Sequence, residues 1–415
     1  MKQAKILAEI TQRIVFDQLF KERTRKRPED FTRAGKLPFE ELVLFTLESL
    51  KTTTSTGIRR FFKKMERDEN MRQQSVSEAK AKLKWEGFEY LYRHSTVSPL
   101  IELNRETWNG YFVYAVDGSK IALPMDKKLL AHYGSVGRGS KSPTAQGSIM
   151  YDVLNDIIVD AAIEPIKVDE RTLALRHIEA IKPVNEGNDK LIIFDRGYPS
   201  FDLIKKMEDE GLKYVMRVKS KFNLEIDAQV DDDGIVWLEK DGETIKVRVV
   251  KVELDSGEIE TLITLALDVD DFKKLYFLRW GCELKYGILK NKLELENFSS
   301  RTVDGVKIDF FASMYMANYM ASVEHDVKGE IAKKQEDKEN KYKYKVNKNE
   351  LIGILKDYLI LAIASDCPQQ YDEIFDKILR EAKQNIIPIR PNRKVDRNPY
   401  PRKSRFHHNQ KSQKI

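Results

Sequence analysis

The stretch KKLYFLRWGCELKYGILKNKLELENFSSRT, residues 273–302, carries a phenol (Tyr276), a guanidinium (Arg279), a carboxylate (Glu283) and an ammonium (Lys290). A helix advances about 100° per residue, so these spacings put all four on one narrow stripe. Such a stripe fits a solvated face with an i, i+4 Arg279–Glu283 pair worth a few tenths of a kcal/mol. It equally fits a place where a metal ion and phosphates meet. Two more carboxylates stand at informative places: Asp117 inside the β-branched run YFVYAVDGSKIALP, and Asp195 at the end of the apolar run DKLIIFDRGY. An acid inside or ending a buried strand costs free energy unless it is paired or binds a cation. Three acids from separate elements could converge on a divalent ion. Oxygen donors suit Mg²⁺, with Mn²⁺ as a substitute. Two such ions can activate a water or a 3′-hydroxyl and stabilise the leaving oxygen of a phosphodiester. The plainer readings are a turn at Asp117-Gly118 and a local ion pair at Asp195-Arg196.

The elements that must position these groups follow from periodicity. Residues 1–100 read as helical: PFEELVLFTLESL, IRRFFKKMERDEN and SVSEAKAKLKWEGFEYLYRHS, with TTTSTG as a breaker and Ser75 or Ser77 as an N-cap. On these helices Arg59, Arg60, Lys63, Lys64, Lys80, Lys82 and Lys84 fit phosphate contacts or an ordinary solvated face. From residue 111 the order is a strand, a hairpin turning at Asn155-Asp156, a helix, a strand, a helix stopped by Gly211, and a strand. That order predicts an α/β core with a mixed sheet. Residues 220–267 read as a β-rich insertion with Asp-Gly and Ser-Gly turns. GVKIDFFASMYMANYMASVEH reads as a buried helix, KKQEDKENKYKYKVNKN as a mobile charged linker, and the tail from Ile387 as disordered. The expected organisation is a helical head over 1–105, core over 106–219 and 268–330, and insertion over 220–267. A charged linker with C-terminal helices follows over 331–385, then a basic tail over 386–415.

Several signals are weaker. GSVGRGSKS, from Gly134, nearly spells a phosphate-binding loop, but Ser140 stands where lysine is required and no strand leads into it. Asp152, Asp156 and Asp160 are rival metal ligands, expected instead at the surface. Arg196 and Lys219 follow core strands and could reach phosphates. His94, His132, His177 and His325 read as structural.

Composition narrows the class. Cys282 and Cys367 are the only two cysteines, which excludes a disulfide scaffold and a four-cysteine zinc site. Glu9 and Asp17 in the first residues argue against a signal peptide, and no apolar run reaches the ~20 residues of a membrane helix. A cytoplasmic, nucleoid-associated protein with no membrane partner is expected. Residues 1–100 hold 21 Lys and Arg against 14 Asp and Glu, and residues 390–415 hold nine against one. Basic flanks around an acidic centre suit a protein that holds a polyanion and works on it with a metal. For the tail, non-specific DNA binding and simple solubility are both open.

The pattern Tyr276-x2-Arg279-x3-Glu283-x6-Lys290 resembles the Y-R-E-K signature of the bacterial insertion-sequence transposases of family four. VDGS and DRGY resemble that family's other two acidic motifs, and LENFSSRT and DFFASMYMANYM its flanking sequences. The resemblance spans residues 111–321 and is weaker in the head. It implies a ribonuclease-H-like core preceded by a DNA-binding head, with Asp117, Asp195 and Glu283 as a D-D-E triad. It implies that Tyr276, Arg279 and Lys290 grip phosphates at the element's end. It further implies cut-and-paste chemistry: cleavage at terminal inverted repeats, then joining of the 3′-hydroxyls to target DNA by a homodimer on paired ends. Related members pass through a hairpinned end whose flipped base stacks on a tryptophan of the insertion. Trp237 lies in the corresponding segment, where plain strand packing is the other reading. Two rival expectations are a transposase-derived DNA-binding protein that does not cleave, and a ribonuclease-H-fold nuclease that cuts without joining.

Overall fold

The computed structural model describes residues 2–48, 52–103, 105–137, 139–182, 190–253, 257–264, 275–336 and 342–390. The chain forms two compact units. One comprises Ile101–Lys120 and Gln146–Gly287; the other comprises Met1–Leu100, Ile121–Ala145 and Ile288–Ile415.

The first unit is built on a large mixed sheet. Its strands are β1 (Phe112–Ala122), β2 (Thr144–Asp152), β3 (Ile157–Pro165), β4 (Lys190–Phe194), β5 (Lys213–Arg217), β6 (Asp233–Lys240), β7 (Glu243–Glu253) and β8 (Ile259–Thr264). Their order is β3-β2-β1-β4-β5-β8-β7-β6. β1, β4 and β5 are parallel neighbours, whereas β5, β8, β7 and β6 pair antiparallel. The central strands are continuous apolar runs because both of their faces are covered. Val113, Leu191, Ile193, Val215, Val250 and Leu262 cluster with Leu275 and Tyr276. The alternate residues Tyr114, Val116, Ile192, Phe194, Tyr214 and Met216 are buried as well. Helices Glu170–Ile181 and Phe201–Asp209 pack against β3 and β5. The expected hairpin is present, and Asp156 takes its left-handed position at φ 58°, which a short polar side chain tolerates.

The segment expected to be β-rich holds β6, β7 and β8. β8 pairs with β5 (Val215↔Thr264, Met216↔Ile263), so β6–β8 continue the same sheet. The segment also holds an unanticipated short helix, Leu224–Ala228, capped by Asn223.

The second unit is helical and centres on the helix Val303–Glu336. Its first half is buried almost all round, from Val306 through Phe311, Tyr315 and Tyr319 to Val323, as expected of a core helix. Helices Gln3–Val15, Trp85–Tyr92 and Pro368–Gln384 pack against it. Tyr319 Oη donates to the Ala4 carbonyl at 2.6 Å. Asp326 accepts from the amides of Gln3 and Ala4 at 2.8 and 2.9 Å, and so satisfies the open end of the first helix.

The structure adjusts three local expectations. TTTSTG does more than break the chain after the helix Phe39–Leu47: Thr53 caps a new helix, Thr54–Lys64. Ser75 and Ser77 lie inside the helix Gln73–Ala81, whose cap position is Arg72. The single helix expected over SVSEAKAKLKWEGFEYLYRHS is split at Leu83, which bridges to Arg25, while the Lys26 and Lys84 amides bond the Lys82 and Thr24 carbonyls at 2.8 and 2.7 Å. Part of the expected linker and the start of the expected tail form an antiparallel pair, β9 (Tyr344–Val346) and β10 (Ile386–Pro388). The remainder of those two expectations, at 337–341 and 391–415, lies outside the described residues. Among the described residues no helix is long and apolar enough to cross a membrane.

Candidate active site

Asp117 and Asp195 are brought together by strand register. β1 and β4 run parallel with Val116 opposite Phe194. The next residue of each is therefore an acid: Asp195 follows the carboxyl end of β4, where open α/β sheets place their ligand sites, and Asp117 lies midway along β1, just past the last residue paired with β4. At Asp117 the burial of β1 gives way to partial exposure, and Asp195 is likewise half-buried. Asp117 Oδ1 accepts from the Gly118 amide at 3.0 Å. Burial pushes the Asp117 carboxyl up to about 7; Arg279 opposes the shift, and Glu283 and Asp195 add to it. All three acids thus share one electrostatic neighbourhood.

Glu283 comes from the helix Trp280–Asn291. That helix is seated at several points of the first unit. Cys282 is buried with Sγ 3.9 Å from the Ala115 carbonyl. A Cβ on Gly281 would lie 3.3 Å from the Tyr151 ring, so glycine permits the close approach. Lys285, only 2% exposed, donates to Asp156 Oδ1 at 2.8 Å. Tyr286 Oη donates to the Asp117 carbonyl at 3.2 Å. Sequence reasoning missed Lys285 and Tyr286, which a helix pattern marks only as an ordinary cation and an ordinary core aromatic.

The expected stripe is not one uninterrupted helix. Residues 275–278 are helical, Arg279 is a turn, and the Arg279 and Cys282 amides bond the Tyr276 and Arg279 carbonyls three residues back. Tyr276 Oη donates to Asp195 Oδ1 at 3.2 Å, and Arg279 Nη2 donates to Glu283 Oε1 at 3.0 Å. Arg279 is buried, and its Nε has no hydrogen-bond partner among the described residues. Burial pushes the Tyr276 phenol up, against the pull of Arg279. Lys290 belongs to the second unit, where its ammonium lies 3.6 Å from Glu296.

Among the described residues no three His, Cys, Asp or Glu side chains stand close enough to cage a metal in this arrangement. Tyr276 and Arg279 hold two of the three carboxylates. The donor set nevertheless fits a hard divalent cation: three carboxylates, with Asp117 raised by burial and by the other two.

The remaining candidates are dispersed. Arg196 and Lys219 are exposed after β4 and β5. Trp237 is 59% exposed on β6, which leaves little of the plain packing reading. In the head, Arg59, Arg60 and Lys63 are exposed, but Lys64 turns inward onto the buried Glu48. Lys80 is likewise occupied, by Asp309 at 2.8 Å. The surface expectation for the hairpin acids is corrected. Asp152 is buried against Arg105 at 2.7 Å, and Asp160 is buried against His177 at 2.6 Å. Asp156 receives Lys285. A buried acid needs such a partner, and the partners come from segments too distant for periodicity to reveal. His177 also contacts Ser148 Oγ at 2.9 Å, in keeping with a structural role.

No curated protein matches the chain. A solved structure of piggyBac transposase, in a synaptic complex with hairpin DNA, is 11% identical, with a TM-score of 0.46 over 90% of this chain and 85% of that one. A likeness at that level carries no functional argument. The family model described as "Transposase DDE domain" matches residues 108–319, just over half of the chain, and takes in Asp117, Asp195 and Glu283. The chain therefore belongs to the transposase DDE domain family.

Proposed function

We propose that this protein is a metal-dependent DNA transposase of the bacterial Y-R-E-K kind, acting in the cytoplasm on chromosomal DNA. Its sheet is read as a ribonuclease-H-like core, with the helical residues 1–105 as a DNA-binding head. The observation that carries the reading is the register of β1 and β4, which sets Asp117 beside Asp195 with Glu283 in their field. In this reading the three acids hold Mg²⁺, or Mn²⁺ in its place. The bound ion would supply Lewis-acid activation of the attacking water or 3′-hydroxyl and of the leaving oxygen. Arg279 would exchange its bond to Glu283 for a phosphate oxygen, and its Nε, without a partner among the described residues, gives it a second donor for that task. Tyr276 orients Asp195 and can turn its phenol to the same phosphate. Lys290, Arg196 and Lys219 would contact neighbouring phosphates. Arg59, Arg60 and Lys63 are assigned to the terminal repeat, and Lys64 is left to Glu48. The exposed Trp237 offers a stacking surface for a flipped base. Cut-and-paste joining by a homodimer on two ends completes the proposal.

The test is cleavage of a labelled native element end, with Mg²⁺ or with chelator. Glu283→Ala should reduce cleavage by about a thousandfold, as chelation should, with end binding retained. Unchanged cleavage by Glu283→Ala would remove it from the triad. Binding without cleavage by wild type would favour a transposase-derived DNA-binding protein, and nicking without joining a nuclease.

A further inference from the structure

Glu170 opens the helix Glu170–Ile181, just after the N-cap position Asp169, and no sequence motif marks it. Its Oε1 accepts from Gln146 Nε2 at 3.1 Å, and Gln146, on β2, is buried. A Cβ built on Gly118 would lie 2.7 Å from Glu170 Oε1 and 2.8 Å from Gln146 Nε2. One built on Gly197 would lie 4.0 Å from Glu170 Oε2. One carboxylate therefore lies against the residue after Asp117 and close to the turn after Asp195. The neighbouring Arg171 donates from Nε and Nη2 to the Gly197 carbonyl, each at 3.4 Å. Gly118 does not have a left-handed backbone, so what requires glycine there is room rather than conformation.

We propose, resting on the transposase reading above, that Glu170 is a positioning residue for Asp117 and Asp195. Its carboxylate, tied to Gln146, fills the space that Gly118 leaves on β1, lies within ordinary contact distance of Gly197, and so sets the backbone that aims both acids. The link to Asp117 is direct, because the Gly118 amide donates to the Asp117 carboxylate. A shift of that peptide moves the acid. The role is one of shape and hydrogen bonding. Glutamine at 170 keeps the volume and the acceptor for Gln146, whereas alanine keeps neither.

The experiment compares wild type, Glu170→Ala, Glu170→Gln, Gly118→Ala and Gly118→Ala/Glu170→Ala in full-length protein. The readouts are Mg²⁺-dependent cleavage of a plasmid carrying the native element ends, binding of the same DNA, and the urea unfolding midpoint. Glu170→Ala should slow cleavage by about a hundredfold, the scale of an ångström of misplacement, without weakening DNA binding. Glu170→Gln should stay within a few-fold of wild type. Gly118→Ala should be slow and unstable, and the double variant should recover part of both losses, because removing Glu170 removes its share of the clash and leaves only that with the Gln146 amide. Strict additivity in both cleavage and stability, or equal loss in Glu170→Gln and Glu170→Ala, would overturn the proposal. If wild type cleaves no DNA, the transposase reading fails, and the stability coupling alone decides Glu170: recovery in the double variant upholds the clamp and additivity rejects it.

Discussion

At Asp117 a half-buried acid sits beside two others, and its protonation should be visible in stability. Burial raises this carboxyl to about 7, with Arg279 opposing and Glu283 and Asp195 contributing. A carboxyl whose pKa is higher folded than unfolded favours the fold most when protonated. Its contribution is full below the unfolded value near ~3.9 and is lost as pH rises through about 7. In buffer free of divalent ions, the urea midpoint should therefore fall across that window, and Asp117→Asn should flatten the fall. A pH dependence untouched by the substitution would show that Asp117 is not buried as a strained carboxylate. Individual acids were legible in the sequence because Asp117 and Asp195 interrupt apolar strand runs. Their supports were not. Glu170, Lys285 and Arg105 look like ordinary surface charges until distant segments bring Gln146, Asp156 and Asp152 to them.

Elements explain which parts of the fold could be read in advance. Strands β1, β4 and β5 announce themselves as β-branched runs because both faces are buried, and the Asn155-Asp156 turn sets its hairpin through local chemistry. The interruption at Arg279 left no such mark: no glycine or proline stands between Tyr276 and Trp280. It shows only once the Tyr276–Asp195 and Arg279–Glu283 bonds are seen. The place of β8 in the sheet was hidden for a similar reason, since pairing with β5 is a choice between distant segments. The buried Arg105–Asp152 pair ties the chain before β1 to the end of β2, its side chains only 2% and 0% exposed. Arg105→Ala should destabilise the protein by about 3–5 kcal/mol, because it strands a buried charge. An apolar replacement of both partners should cost far less. Chemical denaturation of wild type and the two variants distinguishes this from an ordinary surface pair, for which neither change would exceed about 1 kcal/mol.

Over the whole molecule, the basic head and the acidic middle predict a division of labour among cations that look alike in the sequence. Removing the exposed Arg59, Arg60 and Lys63 together should make the log–log salt dependence of DNA binding shallower by about 0.9 for each phosphate no longer neutralised. Lys64→Ala should instead lower folding stability, because Lys64 serves Glu48, whose side chain is 0% exposed. Titrating salt in a binding assay, beside a melting curve, separates the two. Equal effects on the salt slope would return Lys64 to the DNA-facing set. The interleaved segments of the two units have a further consequence during synthesis. The sheet unit closes only with residues up to Gly287, and the helical unit needs the chain beyond Ile288. A nascent or prematurely terminated chain ending before Trp280 contains Asp117 and Asp195 but neither Glu283 nor the helix that seats it. On the proposed reading, translation itself acts as a safety catch: a chain that stops there lacks the complete set of acids that cleavage would require.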